Sequence, residues 1–303
     1  MAVDVYHEGE RTAQRRAGLH RQGESASRIV RSAIPAVARD FLAGQMLIVL
    51  GAADAQGRMW ASPISGRPGF LRAESDTVLA VSGLPAPGDP LRARLGTPAP
   101  VGTIAVDFAT RRRMRLNGRS VPDGEGVRVT LDQVYANCPK HIQQRHPRWR
   151  PATPAPGATS AQLPARLQSL IAGADTFFIA TADRDGRADA SHRGGNPGFV
   201  QVLSPTRLRW PDYTGNAMFN TLGNLEADAR AGLLFLDWGT GTTVQLTGTA
   251  RTDWDSAAAA ALPGAQRVVD FTVTAVVEIA HASPLRWSAP QLSRFNPPVA
   301  PPP

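Results

Sequence analysis

Apolar positions along the chain fall in short runs rich in β-branched and aromatic residues, separated by Gly, Pro, Asp and Asn; long stretches with the 3.6-residue spacing of helices are few. The runs Met46 to Leu50, Thr77 to Val81, Thr103 to Val106, Arg113 to Leu116 and Val127 to Val134 predict strands in the first part of the chain. In the second part the matching runs are Thr176 to Ala180, Arg207 to Trp210, Leu233 to Leu236, Thr243 to Thr247 and Val268 to Ile279. Asp255 or Ser256 can cap a helix over Ala257 to Leu262, stopped by Pro263 and Gly264, and Ala217 to Glu226 predicts another. Some six antiparallel strands per half with one or two helices predict a mainly β protein of two small six-stranded barrels.

The pattern repeats. Ala53 to Phe70 (ADAQGRMWASPISGRPGF) aligns without a gap onto Ala182 to Phe199 (ADRDGRADASHRGGNPGF), with ten of eighteen positions identical. After one inserted residue the register continues, Gly102, Asp107, Thr110, Leu116 and Gly118 meeting Gly232, Asp237, Thr240, Leu246 and Gly248. A period near half the chain implies a duplicated domain, with the copies packed about a pseudo-twofold axis. The expected organisation is an N-terminal helical extension over 1–30 and a first copy over 31–145. A Pro-rich linker over 146–166, a second copy over 167–288 and an irregular Pro-rich tail over 289–303 complete it.

Composition narrows the classes. The chain has 303 residues, 42% of them hydrophobic, which excludes wholesale disorder. Its longest apolar run, Met46 to Ala53, is far short of the ~20 residues of a membrane helix, and nothing near the N-terminus reads as a secretion signal; the cytoplasm is the expected location. A single cysteine, Cys138, excludes an intrachain disulfide. Of 33 basic residues only Lys140 is a lysine, and the formal charge is +8. That field favours an anionic ligand, a phosphorylated small molecule or nucleic acid.

The copies diverge in chemistry at Ala190 to Phe199. Ser191, His192, Arg193 and Asn196 bring a hydroxyl, an imidazole, a guanidinium and an amide beside Gly194 and Gly195, where the first copy has Ser62, Pro63, Ile64 and Arg67. The planar fork of arginine suits phosphate. A structural turn explains the shared Pro-Gly-Phe but not the added His-Arg-Gly-Gly. A second polar stretch, Trp210 to Leu225, passes from a strand end through Asp212, Tyr213 and Gly215 into the predicted helix. There Asn216, Asn220, Thr221 and Asn224 read either as capping and surface amides or as part of an anion site at a helix amino end.

These segments, with Arg111 to Gly118 (RRRMRLNG), resemble the pyridoxamine 5′-phosphate oxidase-related, FMN-binding split-barrel family. The chain is similar in particular to tandem members with a His-Glu-Gly-Glu motif, here within Tyr6 to Glu10, and an Asn-Cys-Pro-Lys motif, here Asn137 to Lys140. The resemblance implies two tandem six-stranded antiparallel split barrels forming a pseudo-dimer, and an FMN-dependent oxidoreductase of unknown substrate. It implies cofactor contacts from Ser191, His192, Arg193, Gly194, Gly195 and Asn196, then from Asp212, Tyr213, Gly215, Asn216, Phe219, Asn220, Thr221 and Asn224. Where the oxidase has an Arg-Lys pair this chain has Asn220 and Thr221, so pyridoxamine phosphate oxidation is not assigned. Other branches of the family bind a deazaflavin (F420) or haem.

In the strand-like run after Thr110, Arg111, Arg113 and Arg115 share one face and Arg112, Met114 and Leu116 the other. The first set either reaches towards the partner copy, as Lys140 can, or is a solvated edge. Cys138 lacks an identifiable base, and His141 and His146 are poorly spaced for zinc, so no metal is proposed. Tyr6 to Glu10 can cap or clamp the second copy. The expected partners are a small-molecule substrate and an electron donor such as NAD(P)H, with no membrane. The chain acts as a monomeric pseudo-dimer or a homodimer. A non-catalytic flavin carrier or sensor is the main competitor. An Arg-rich nucleic-acid binder lacks aromatic platforms for bases.

Overall fold

The computed structural model describes residues 5–299; the first four residues of the expected extension and the last four of the tail lie outside them. The first half contains β1 (Leu47–Ala53), β2 (Met59–Ser65), β3 (Leu71–Ala73), β4 (Val78–Val81), β5 (Ala99–Asp107), β6 (Arg112–Asp123) and β7 (Gly126–Ala136). Two short strands, β8 (Pro147–Trp149) and β9 (Ala158–Ser160), lie in the Pro-rich connection. The second half contains β10 (Thr176–Ala182), β11 (Ala188–Gly194), β12 (Gln201–Ser204), β13 (Arg207–Tyr213), β14 (Arg230–Leu236), β15 (Thr243–Asp253) and β16 (Ala265–Ile279), followed by β17 (Leu285–Trp287). The helices are α1 (Glu8–Arg16), α2 (His20–Ser27), α3 (Ala36–Ala43), α4 (Ala165–Ala172), α5 (Asn220–Ala227) and α6 (Ser256–Ala260). None is long and apolar enough to cross a membrane.

The repeated sequence encodes two repeated turns. Between β1 and β2, Asp54 accepts from the backbone N–H of Gln56 and of Arg58, both at 2.9 Å, and takes the Arg58 Nε at 2.8 Å. Between β10 and β11, Asp183 accepts from Asp185 and Arg187 at 2.9 Å and takes the Arg187 Nε at 2.6 Å. Gly57 and Gly186 supply left-handed φ values of 77° and 78°, which side chains disfavour. The Asp, Gly and Arg of the repeat are therefore hairpin chemistry. Its Pro-Gly-Phe is a second turn, in which Phe70 and Phe199 donate backbone bonds to Arg67 and Asn196.

Strand order is the same in both halves: β2-β1-β5-β6-β7-β4-β3 and β11-β10-β14-β15-β16-β13-β12, with β9 added beside β16. Both sheets are antiparallel and open. The expected six-stranded barrels are not formed: each path has seven strands, and its ends, β2 and β3 or β11 and β12, are not bonded to each other. β3 has three residues and pairs only with β4, too short a rim to close a sheet. Each half still buries a core of its own, the first core with Leu50, Trp60, Leu79 and Leu116 and the second with Phe177, Trp210, Leu246 and Phe271, and the two open sheets pack against each other in addition.

That packing runs through β1, β2 and β5 of one half and β10, β11 and β14 of the other. Val49, Ile104, Phe108, Phe178, Ala180 and Leu234 form the core between them. Glycines set the spacing. A Cβ on Gly102 would lie 2.3 Å from the Asp189 Cα, and one on its repeat mate Gly232 would lie 2.5 Å from the Cα of Trp60, the repeat mate of Asp189. Gly51 meets its own counterpart, Ala180. The contacts are thus related by an approximate twofold.

Candidate functional site

The main cleft opens where β6 and the stretch after β7 face β11, β13 and the amino end of α5. It encloses about 150 Å³, and about 1020 Å³ counting space open to solvent. Pro211 to Gly215 carry the chain from β13 along its edge, and α5 begins at Asn220. The predicted helix begins at Ala217; both Ala217 and Phe219 instead adopt a left-handed φ of 60°, which delays the first turn. Phe219 gives α5 no side-chain cap, and Phe219 to Leu222 at this uncapped amino end line the cleft. His141, on the opposite rim, also has positive φ, 63°. Strained backbone gathered around one cleft is typical of binding sites.

Among the described residues five cations line the cleft, Arg113, Arg115, Lys140, Arg193 and Arg267, against a single carboxylate, Asp212. Arg115 is paired, 2.8 Å from Asp189, and its other Nη donates to Ser191. Burial opposes its charge, but Asp189 and then Tyr135 outweigh that and hold its pKa above the usual value. Arg267 is paired with Asp212 at 3.0 Å. Arg113 and Arg193 make no ion pair among the described residues. Arg113 Nη1 donates to His192 Nδ1 at 3.0 Å, and Arg193 Nη1 to Ser191 Oγ at 2.8 Å. Burial, then Arg115 and Arg193, push Arg113 down to about 9. Burial, then Arg113 and Arg193, keep His192 neutral, its proton on Nε2. The Arg113 Nε, the His192 Nε2 and the Thr221 hydroxyl are buried without a hydrogen-bond partner among the described residues. Unpaired buried donors beside unpaired cations favour an anion.

The N-terminal segment forms a further wall. His7 caps α1 by accepting from Gly9, its Nε2 bonds the Asn224 Oδ1 at 2.8 Å, and Glu10 accepts from the Asn220 Nδ2 at 2.6 Å. Gly9 and Gly223 allow this crossing, since a Cβ on Gly223 would lie 2.4 Å from the Glu10 Cα. The His-Glu-Gly-Glu motif is a clamp on α5, and Leu19, just beyond α1, lines the cleft. Burial pushes the Glu10 carboxyl up to about 8, despite hydrogen bonds from His7 and Asn220.

Of the residues singled out in the sequence, the cleft brings together His192, Arg193, Gly194, Asp212, Tyr213, Gly215, Asn216, Phe219, Asn220 and Thr221 with Arg113, Arg115 and Lys140. Ser191 lies beneath, buried between Arg115 and Arg193. Gly195 packs on Phe199, and Asn196 holds the tail through Pro297 and Asn296. Asn224 faces His7 and Thr181 rather than the cleft. Arg111 bonds the carbonyls of Ile142 and Gln291. Leu19, His141, Gln266 and Arg267 also line the cleft and were not predicted to. None of the four had a local signal; Arg267 is brought opposite Asp212 only by the β13–β16 pairing.

At the repeat-related position the cations are gone. Arg113, Arg115, His192 and Arg193 correspond to Thr243, Gln245, Pro63 and Ile64. There Ser62 donates to Asp89 at 2.6 Å and Gln245 donates to both, around a buried acid that burial pushes up to about 6, with no cation among them.

Residues 163–284 match the family model described as pyridoxamine 5′-phosphate oxidase, which covers the second half and less than half of the chain. A comparison with curated proteins found no match. Among solved structures, a putative pyridoxamine 5′-phosphate oxidase from Lactobacillus delbrueckii is 23% identical, with 39% of this chain and 94% of that chain covered and a TM-score of 0.32. HupZ of Group A Streptococcus is 13% identical, with 37% and 90% covered and a TM-score of 0.30. An FMN-binding protein from Syntrophomonas wolfei is 12% identical, with 37% and 82% covered and a TM-score of 0.27. Over residues 163–284 the chain is similar to pyridoxamine 5′-phosphate oxidase, a likeness shown for its second half.

Proposed function

We propose that the cleft binds one FMN per chain and that the protein is a flavin-dependent oxidoreductase. The observation that carries this reading is the meeting of Arg193 and Arg113, free of carboxylate partners among the described residues, with the uncapped amino end of α5 and the unpartnered Thr221 hydroxyl. A phosphate monoester suits that donor set: guanidinium forks and helix N–H groups are its usual partners. Phe199, Pro211, Tyr213, Phe219 and Leu222 offer the apolar surface a flat ring needs, and Asn216, Asn220 and His192 the polar groups for its edge. The enclosed 150 Å³ is small against the ~300–1,000 Å³ of typical small-molecule sites, so the ligand would also use the open part. Bound there, the flavin would supply electron-pair transfer, while the chain binds it, orients it and limits water. The Pro63, Ile64 and Gln245 substitutions at the repeat-related position favour a single site.

FMN titration followed by flavin fluorescence tests the assignment. Arg193→Ala is expected to weaken FMN binding by about 1.5–3 kcal/mol, a ~10–100-fold rise in Kd, and to leave the weaker binding of riboflavin, which has no phosphate, nearly unchanged. Equal FMN affinity in both proteins would remove Arg193 from the phosphate site. Reduction of the loaded protein by NAD(P)H in stopped flow separates an oxidoreductase from a flavin carrier.

A further inference from the structure

We infer that the N-terminal segment from Tyr6 to Ser27 is a detachable latch: docked, it holds the start of α5 in a strained form, and the cofactor enters and leaves the cleft through its release. The inference rests on the cofactor reading for the ligand whose exchange is gated. The enclosed part of the cleft, about 150 Å³, is smaller than the ~300–1,000 Å³ of typical small-molecule sites, so a wall must yield before a ligand is fully enclosed.

The wall that yields is the one under strain. Ala217 and Phe219 both line the cleft, and each keeps a left-handed φ of 60°, which residues with side chains hold only where their surroundings enforce it. Met218 between them is fully buried, and two of its holds come from the N-terminal segment. Gln14 Nε2 donates to the Met218 carbonyl at 3.2 Å, and Tyr6 packs with Met218 and Tyr135 in a small core of their own. Just beyond the turn, Asn220 donates to Glu10, and Leu19 lines the cleft itself.

The segment that supplies these holds is itself lightly anchored. In α1 the buried residues are Glu10, Ala13 and Gln14, and in α2 only Gly23, so Ala13 is the one buried apolar side chain of the two helices. Polar contacts do the rest: His7 with Asn224, Glu10 with Asn220, and Arg16 with Glu226 at 3.0 Å. A seam with so little apolar burial and a carboxyl taken out of water belongs to the low-stability end of a fold, where local opening occurs. When α1 leaves α5, the turn loses the Gln14 bond and the Tyr6 packing, and its strain drives Ala217 and Phe219 towards ordinary φ values and a wider cleft.

The test ties the latch down. In a Cys138→Ser background, Arg16→Cys and Glu226→Cys, neither of which lines the cleft, are joined by a reducible bismaleimide. FMN association and dissociation are followed by flavin fluorescence before and after the linker is cleaved. The tied protein should exchange FMN ~10-fold or more slowly in both directions, and cleavage should restore the rates. Gln14→Ala, left untied, should exchange FMN faster than wild type. Equal rates in the tied and cleaved forms, or in Gln14→Ala and wild type, would overturn the inference. Should the protein take up no FMN, the cofactor reading fails on its own, and hydrogen exchange of the cofactor-free chain decides the latch. Tying should then protect the amides of 216–222 by ~10-fold or more, whereas unchanged exchange there refutes it.

Discussion

Replacing Asp189 by alanine is expected to cost about 3–5 kcal/mol of stability, the usual loss when one partner of a buried ion pair is removed. Asp189 is 4% exposed and Arg115 7%. The carboxylate takes Arg115 Nη1 on both oxygens, at 3.0 and 2.8 Å, together with Asn117 at 3.0 Å and Tyr135 at 3.3 Å. It belongs to β11 of the second half and its partners to β6 and β7 of the first, so the substitution strands a buried guanidinium at the junction of the halves. It also releases the arginine that holds Ser191 under the cleft. Urea unfolding followed by tryptophan fluorescence measures the loss, and a change below about 1 kcal/mol would show that the pair is not enclosed as described. A double variant, Asp189→Leu with Arg115→Met, should recover much of the stability without recovering ligand binding, because it leaves no unpaired charge.

A large pH effect is expected from Glu10. Its carboxyl titrates near 8 in the folded chain against an ordinary value of 4.5, so the native state holds a proton that the unfolded state gives up first. Stability from this group is present in full below 4.5 and falls as pH rises towards 8, by up to ~1.4 kcal/mol per pH unit. His7 works in the opposite sense. Burial lowers its pKa below 6.5, so its contribution falls with acidification and is settled above neutrality. Between pH 7 and 8 the Glu10 slope stands alone within the clamp, where Asp183 and Asp189 add negative charge nearby. Glu10→Gln, which keeps the shape and an acceptor but has no titrating proton, should be the more stable protein at pH 8 and show a flatter profile over that interval. Parallel profiles for wild type and variant would mean that the carboxyl is not buried between α1 and α5.

The two sequence copies made the internal symmetry legible because turns are local. An Asp that accepts from residues two and four ahead, a Gly with positive φ and an Arg returning to the Asp are written within six residues, twice. The alternation in β6 was readable for the same reason, with Arg113 and Arg115 turned to the cleft and Met114 and Leu116 to the first core. Closure of the sheets was not legible. It depends on whether three residues of β3 can reach a strand at the far side of the sheet, and the sequence has no local sign of that. The clamp was legible only as far as the N-terminal motif and the second copy; its partners, Asn220 and Asn224, reached through a Gly9–Gly223 contact some 210 positions away, were not. The left-handed Ala217 and Phe219 carry no glycine to announce them, so the start of α5 was placed too early. The Pro-rich tail, expected to be irregular, is so over its described residues and is held there, with Ser293 and Asn296 bonded to Gln143.

The most direct measurement uses the single cysteine. Cys138 is partly buried and lines the cleft beside Arg113 and Lys140, so a thiol reagent reports on occupancy of that space without any variant. With FMN titrated into the wild-type chain, modification of Cys138 should slow saturably, with the same midpoint as quenching of flavin fluorescence and one equivalent per chain. Flavin that fails to bind, or binds while Cys138 reacts at its original rate, would contradict a cofactor seated between the two halves.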